Sequence, residues 1–279
     1  MAFGRIRLKS EADVAGLREA AGVVERALAA AAAEIGPGVQ TLHLDEVAEE
    51  VIRDAGGRPA FKGYQMGGEG TPFPGSIITS VNDVVVHGIP STYEIRDGDV
   101  VAIDCGVELD GYFGDFAYTV AIGEISRGAR DLLETTRASL YAGIAQAVAG
   151  KRVGDIGHAV QQHCESRGYG VVRDLVGHGV GTSLHEPPNV PNYGRQGSGK
   201  KLQPGLTICI EPMINGGTGN VTVDADEWTI RTADGSLSAH YEHMVCVRKG
   251  EAEVLSSYNL IEAALASNSE TPDLRAVSA

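Results

Sequence analysis

The sequence predicts an α+β fold in which an antiparallel sheet is covered by helices. Three observations lead to this prediction. An alanine-rich helical segment comes first, a strand–turn–strand pattern lies in the middle, and residues 171–247 consist mostly of short strands and loops. A chain of 279 residues, 43% of them hydrophobic, can bury a sizeable core. Its length permits one large domain or two ordinary ones.

Four segments have helical composition and end at a glycine or a loop: 11–35, 42–55, 125–149 and 154–167. The first stops at Gly36-Pro37-Gly38, and Thr41 is predicted to cap the second. Two short strands are expected around 76–80 and 84–87.

The two halves of the chain resemble each other when one is shifted by 112 residues. This shift superimposes Arg18 on Arg130, Leu44 on Ile156, Ala48 on Val160 and Gly56 on Gly168. Each half then has the order long helix, shorter helix, glycine, strands. We therefore predict an internal pseudo-two-fold repeat, with a site where its halves meet.

Charge and composition exclude several classes of protein. The net charge of −14 argues against nucleic acid as a partner, because phosphate binding needs clustered Lys and Arg. No run of about 18 apolar residues is present, so no membrane span is expected. The N-terminus has no apolar secretory signal, and the four cysteines form no C-x-x-C pair. A reducing, cytoplasmic compartment is therefore predicted.

The strongest local signal is a hairpin formed by residues 99–109 and 112–122, because Asp110-Gly111 is a preferred two-residue turn. The turn sets these pairs: Leu109 with Tyr112, Gly106 with Asp115, and Asp104 with Ala117. Asp104 and Asp115 then become diagonal neighbours on one face, about 7–8 Å apart at the backbone. Gly106 is predicted to leave room between the two carboxylates.

Two carboxylates on a buried face need a cation between them. The apolar run from Val100 to Ile103 indicates that this strand is buried, and the hairpin contains no Lys or Arg. Ionised carboxylates in such a place are costly unless a positive charge compensates them. A bound metal would supply that charge. The alternative is a half-exposed hairpin with solvated carboxylates.

Further metal-ligand types follow in strand-like or glycine-rich runs. These are His178 in VGHGVG, Glu211 in LTICIEPMI and Glu242 in AHYEHMVCV, and His185 lies in LHEPPNVP. Taken singly, each is weak evidence, because a buried Glu more often pairs with Arg and a lone His is more often structural. With the two aspartates of the hairpin, His178, Glu211 and Glu242 give a set of two Asp, two Glu and one His. This ligand set suits a pair of Mn, Fe, Co or Zn ions.

Five motifs resemble those of type I methionine aminopeptidases, which have the pita-bread (creatinase/aminopeptidase-like) fold. They are VNDVVVHGIP (81–90), DGDVVAIDCGVELDGYFGDFAYT (97–119), VGHGVGTSLHEPPNVP (176–191), ICIEPMI (208–214) and HYEHMVCV (240–247). They match in order and spacing, and the similarity runs from about residue 5 to 257. We expect the short form of the family, without the N-terminal extension and the helical insert of other branches.

The resemblance implies a role for each matched residue. Asp104 would hold one divalent metal ion, Asp115 and Glu242 would bridge two ions, and His178 and Glu211 would hold the second. Glu211 would also move a proton. His87 would contact the substrate near the scissile amide, and His185 would contact its carbonyl. A monovalent cation is implied, less strongly, near Asn82, Val84 and Ser238.

The resemblance also implies an apolar pocket for a methionine side chain. Position matching assigns it Phe61, Tyr64, Phe73, Ile78, Leu184 and Trp228. This chain departs from the family pattern in two ways. Many bacterial members have cysteine where Phe61 and Ile78 stand and phenylalanine where Leu184 stands. Relative to the family pattern, residues 65–72 (QMGGEGTP) in the pocket loop also look like the site of a six-residue insertion.

The predicted function is hydrolytic removal of N-terminal methionine from nascent proteins when the second residue is small. We expect one catalytic domain over residues 1–258 and a C-terminal tail over 259–279, frayed at its end (265–279). The partners implied are nascent chains near the ribosome, and the chain is expected to be a monomer. Two alternatives are an Xaa-Pro peptidase of the same fold and an inactive module that binds peptides.

Overall fold

The computed structural model describes residues 6–65 and 70–271 of the chain. Its helices are α1 (Glu11–Glu34), α2 (Thr41–Asp54), α3 (Arg127–Ile144), α4 (Val153–Glu165) and α5 (Asn259–Ser267). None of the helices within those two ranges is both long and apolar enough to cross a membrane.

The strands are short except for two. They are β1 (Arg58–Pro59), β2 (Ile77–Val81), β3 (Val84–Val86), β4 (Val100–Leu109), β5 (Tyr112–Ala121), β6 (Gly170–Val171), β7 (Gly177–Gly179), β8 (Glu186–Val190), β9 (Thr207–Ile210), β10 (Met213–Asn215), β11 (Val221–Val223), β12 (Ile230–Thr232), β13 (Ser238–His240), β14 (His243–Cys246) and β15 (Glu253–Val254). One sheet has the order β1-β4-β2, with β5 also paired to β4, and another has the order β15-β14-β9-β7-β8. All strand pairs are antiparallel, as predicted.

The central hairpin of β4 and β5 has the predicted register. Leu109 faces Tyr112, Gly106 faces Asp115 and Asp104 faces Ala117. The turn residues Asp110 and Gly111 have φ angles of 49° and 80°. Two successive positive φ values are those of a two-residue hairpin turn whose twist matches that of the strands.

Helix α1 packs against the outer face of this hairpin. Ser10 accepts a hydrogen bond from the Asp13 amide, and the Asp13 carboxylate accepts one from the Ser10 amide, which caps the first turn reciprocally. Helix and strand approach closely at Gly114, where a Cβ atom would lie 2.5 Å from the Ala21 nitrogen. A glycine is therefore needed at this contact.

The internal repeat is visible in the packing. Leu44 and Ile156 are both fully buried, in α2 and α4 respectively. Gly56 and Gly168 follow those helices with φ angles of 78° and 83°. Both halves thus end their second helix with a glycine in the left-handed region, which supports the predicted pseudo-symmetry.

Two expectations differ from the structure, one about the start of α2 and one about the C-terminal segment. Thr41 is the first residue of α2, and its hydroxyl bonds the carbonyl and amide of Ser91 instead of capping the helix. The segment expected to be a tail from residue 259 forms α5, whose Ile261 is fully buried in the core beside α1. Apolar burial against α1 explains this order, and residues 272–279 lie outside the described ranges.

Helix α2 anchors the loop that leads into β2. The Glu49 carboxylate accepts hydrogen bonds from Lys62 Nζ and Ser76 Oγ, both at 2.6 Å, and from Arg53. Burial alone would raise the pKa of Glu49, but these donors lower it to about 2. Asp45 Oδ1 also accepts from the Ser76 amide at 2.6 Å. The loop is therefore held at both ends of the segment 62–76.

Candidate metal centre

The five predicted metal ligands converge from separate elements. Asp104 lies in β4, Asp115 in β5 and His178 in β7, while Glu211 directly follows β9 and Glu242 lies between β13 and β14. The pairing of His243 with Ile210 brings the two glutamates to the same end of the β9–β14 ladder. Diagonal pairing in the hairpin places the two aspartates on one face.

The imidazole of His178 points its Nε2 atom at the carboxylates. This atom lies 3.6 Å from Asp115 Oδ2 and 3.5 Å from Glu211 Oε1. On the other side of the ring, Nδ1 donates to the Gly179 carbonyl at 2.9 Å. Burial lowers the pKa of His178 to about 3, so the ring is neutral at pH 7. A neutral imidazole whose Nδ1 carries the proton offers Nε2 as a metal ligand.

Each of the four carboxylates keeps a buried oxygen without a hydrogen-bond partner. These atoms are Asp104 Oδ1, Asp115 Oδ1, Glu211 Oε1 and Glu242 Oε1. Burial raises the pKa of all four carboxyl groups, and mutual repulsion raises the values for Asp115, Glu211 and Glu242 further. Within residues 6–65 and 70–271, only histidines form ion-pair contacts with them. Such a set of unpaired oxygens fits divalent cations, which would restore the missing charge.

Two further side chains border the cluster and were missed as site residues in the sequence. One ligand atom each from Asp115, His178, Cys209 and Glu242 lies within 4.8 Å of the other three. Cys209 is two residues before Glu211, so strand alternation could have indicated that both point to one side. His240 Nε2 is buried without a hydrogen-bond partner, 3.9 Å from Glu211 Oε2.

His87 and His185 lie at the edge of this cluster, between it and an apolar pocket. The His185 ring centroid is 4.2 Å from that of His178, and its Nδ1 is 2.7 Å from the Tyr64 hydroxyl. His87 follows β3 with a φ angle of 59°, and its ring centroid is 6.0 Å from that of Trp228. A non-glycine residue in this strained region is a recurrent feature of functional sites.

The six residues predicted to line a methionine pocket lie together. Five are buried in one apolar cluster, with Tyr64 packed against it: Phe61, Phe73, Ile78, Leu184 and Trp228. Ile78 pairs with Asp104 across β2 and β4, so the pocket begins beside the carboxylates. Gly106 was predicted to leave room between the two carboxylates, but the space beside it is occupied by the ring of Phe61. A Cβ atom there would lie 2.7 Å from the Phe61 ring, so Gly106 makes room for the pocket wall.

The positions expected to hold a monovalent cation are also close to one another. The Ser238 amide donates to the Asn82 carbonyl at 2.9 Å, and Asn82 has a φ angle of 57°. Val84 begins β3, two residues further on. Of the segment 65–72, residues 66–69 lie outside the described ranges.

Comparison with known proteins identifies the class of protein. The profile of metallopeptidase family M24 matches residues 15–249, which is most of the chain. The chain therefore belongs to metallopeptidase family M24. This family membership agrees with the buried cluster of Asp, Glu and His side chains.

Its similar relatives within that family are methionine aminopeptidases. The chain is 46% identical over 252 residues to the methionine aminopeptidase of Clostridium acetobutylicum, covering 90% of this chain and 98% of the relative. The crystal structure of methionine aminopeptidase from Rickettsia prowazekii superposes with a TM-score of 0.87 at 35% identity, over 91% of this chain and all of that one. These matches confirm the predicted pita-bread fold.

A more distant neighbour shares the fold alone. X-Pro aminopeptidase from Thermotoga maritima superposes with a TM-score of 0.70 at 20% identity. The match covers 90% of this chain but only 62% of that protein.

Proposed function

We propose that the protein removes the N-terminal methionine from polypeptides whose second residue is small, by metal-dependent hydrolysis. The observation that carries this proposal is the contact between two features. One is the cluster of four carboxylates with unpaired oxygens, and the other is the apolar pocket that begins beside Asp104 at Ile78. A substrate whose side chain filled the pocket would present its first peptide bond to the cluster.

The residues that would hold metal ions are those of the cluster. Asp104 would hold one divalent ion, His178 and Glu211 would hold a second, and Asp115 and Glu242 would be shared by both. Bound ions would make hydroxide available at neutral pH and polarise the scissile carbonyl. Co, Mn, Fe and Zn all suit such a set of oxygen and imidazole ligands. A monovalent cation near Asn82, Val84 and Ser238 belongs to the same proposal.

The chain's own side chains would divide the remaining work. Glu211 is assigned the transfer of a proton from the attacking water to the leaving amine, because its carboxylate has an unpaired oxygen inside the cluster. His185 has an exposed ring beside His178, and it would donate a hydrogen bond to the substrate carbonyl. His87, whose ring centroid is 6.0 Å from that of Trp228, would contact the scissile amide.

The pocket explains the proposed preference for methionine. Phe61, Phe73 and Trp228 supply aromatic walls, and Tyr64 closes the side next to His185. An unbranched thioether adapts to such a shape and makes favourable contacts with aromatic rings.

Two competing functions are less well supported. An Xaa-Pro peptidase is disfavoured because the X-Pro aminopeptidase neighbour is 20% identical, which is a likeness of fold only. An inactive binding module is disfavoured because all five ligand positions and both histidines keep chemically competent side chains. A module that had lost catalysis would have no use for four buried carboxylates that destabilise it when empty.

The cellular setting follows from the proposed reaction. Nascent polypeptides carry N-terminal methionine, so the protein would act in the cytoplasm and close to ribosomes. All four cysteines are buried and free, which suits a reducing compartment. We propose that it acts as a monomer.

The test is an assay on chelator-treated protein with Mn, Co, Fe or Zn restored singly. The substrates are Met-Ala-Ser, Leu-Ala-Ser, N-acetylated Met-Ala-Ser and Ala-Pro-Ser. We expect metal-dependent release of methionine from the first peptide alone. Cleavage of the proline peptide would instead favour an Xaa-Pro peptidase. No cleavage of any peptide with any metal would favour a binding module.

A further inference from the structure

The wall of the apolar pocket formed by Trp228 is tied to the segment that resembles an insertion. Trp228 is 7% exposed. Its ring packs edge-on against that of Phe73, with the two ring centroids 5.2 Å apart. Its indole nitrogen donates a hydrogen bond to the Thr71 carbonyl at 2.8 Å. Thr71 belongs to the described part of the segment 65–72, so this residue joins that part to the pocket wall.

A second hydrogen bond joins the same two loops. The Thr71 hydroxyl donates to Glu227 Oε2 at 2.7 Å. Glu227 has a φ angle of 68°, in the left-handed region that residues other than glycine rarely adopt. A strained backbone of this kind persists when surrounding contacts hold it in place. The hydroxyl of Thr71 is one such contact, next to Trp228 in the chain.

The loop that carries Glu227 and Trp228 is also held by hydrogen bonds that do not involve Thr71. The Asp226 carboxylate accepts hydrogen bonds from the Trp228 amide at 2.8 Å and from the Thr229 amide at 2.7 Å. These bonds fix the backbone at the base of the loop. The direction of the indole ring depends in addition on Thr71, since that residue holds both the ring nitrogen and the side chain of Glu227.

We propose that Thr71 is a specificity-determining residue that latches the Trp228 wall against Phe73 and keeps the pocket a narrow slot. The proposal rests on the proposed function, and it deepens that function by naming what selects the substrate side chain. With these two rings packed against each other, the pocket wall is fixed, and the pocket stays narrow enough to favour an unbranched chain such as that of methionine. A wall free to move would widen the slot and admit the branched side chain of leucine.

The chain offers a direct reporter of this latch, because Trp228 is its single tryptophan. Thr71→Val keeps the size of the side chain and the backbone carbonyl but removes the hydroxyl donor. Thr71 is exposed, so the variant should fold. Thr222→Val, at an exposed position in β11, is the matched control. We expect a red-shifted indole emission and stronger acrylamide quenching in Thr71→Val and neither change in the control.

Glu227→Ala and the double variant complete a double-mutant cycle. If one hydrogen bond connects the two side chains, the double variant should show no more quenching than either single variant. Additive effects of the two substitutions would contradict a latch made by this pair.

The selectivity readout is the ratio of kcat/KM for Met-Ala-Ser to that for Leu-Ala-Ser. We expect this ratio to fall about tenfold in Thr71→Val, within the range that pocket shape can supply. An unchanged ratio, or unchanged fluorescence, would overturn the proposal. If the parent protein cleaves no methionine peptide, the proposed function fails, while the fluorescence cycle still decides whether Thr71 positions Trp228.

Discussion

Replacing Tyr258 with phenylalanine would remove one hydroxyl group that contacts the backbone of Glu242, a member of the carboxylate cluster. The Tyr258 oxygen accepts a hydrogen bond from the Glu242 amide at 3.1 Å. It also lies 2.7 Å from the Glu242 carbonyl and 2.9 Å from the Ala117 carbonyl, and these two acceptors share its single proton, with the Glu242 carbonyl the nearer. Glu242 sits in the gap between β13 and β14, where no regular ladder holds its backbone. The hydroxyl therefore supports the backbone of this proposed metal ligand, in addition to the bond from the Glu242 amide to the Ala117 carbonyl.

The size of the effect follows from which groups lose a partner. The Glu242 amide keeps its bond to the Ala117 carbonyl at 3.0 Å, so it remains paired. The Glu242 carbonyl loses the Tyr258 donor in a buried place, which costs about 1–3 kcal/mol of unfolding free energy. Loss of an outer partner of a metal ligand weakens metal binding about 10–100-fold. The stacked ring of His243, 3.9 Å from that of Tyr258, would keep the phenylalanine ring in place.

The assay measures metal affinity and stability side by side. A chelator competition gives the affinity for Mn²⁺ or Co²⁺, and urea unfolding of the metal-free protein gives the stability. Tyr241→Phe is the control, because that hydroxyl is equally buried but donates to the Thr119 carbonyl, at 3.0 Å. We expect both variants to lose stability and Tyr258→Phe alone to lose metal affinity. Equal metal affinities in the two variants would refute the reasoning.

Three further predictions concern the cluster, the two histidines and acid stability. Asp115→Asn should retain neither metal ion, and its metal-free form should be at least as stable as the metal-free parent, because one buried repulsive charge is gone. Metal content and thermal unfolding test this, and two tightly held ions would contradict it. His87→Ala and His185→Ala should lower kcat about 10²–10³-fold with normal metal content, and a metal-free variant would show that the role is wrong. The pKa of Glu49 lies at about 2 in the folded protein against an ordinary 4.5, so its contribution is present above pH 4.5 and is lost as pH falls toward 2. Over that window Glu49→Gln should lose about 2 kcal/mol less than the parent, as urea unfolding at several pH values would measure.

The hairpin illustrates how far local sequence carries the prediction. The Asp110-Gly111 turn and the alternation of the flanking strands determine the register completely, and the observed pairs agree. Turn chemistry acts over a few residues, so no distant contact is needed to choose it. The same holds for the ends of the repeated helices, where a glycine follows each of α2 and α4.

The rest of the site depends on contacts between residues far apart in the chain. Motif resemblance named His178, Glu211 and Glu242, but their convergence on Asp115 is a property of the packed sheets. Cys209 and His240 were not assigned to the site from the sequence, because a buried thiol or imidazole is equally at home in any apolar core. Their position next to the carboxylates appears only when β9, β13 and β14 come together.

Sequence alone determined the fold class, the hairpin register and the family resemblance, and from it come the five proposed metal ligands. Tertiary structure alone decided that residues 259–267 form a helix, that Gly106 makes room for Phe61, and that Tyr258 and Thr71 support Glu242 and Trp228. The physical reason is the separation along the chain over which each kind of interaction acts. Propensity, turn chemistry and alternation act between near neighbours, whereas each of these contacts joins segments that meet only because distant apolar faces are buried together.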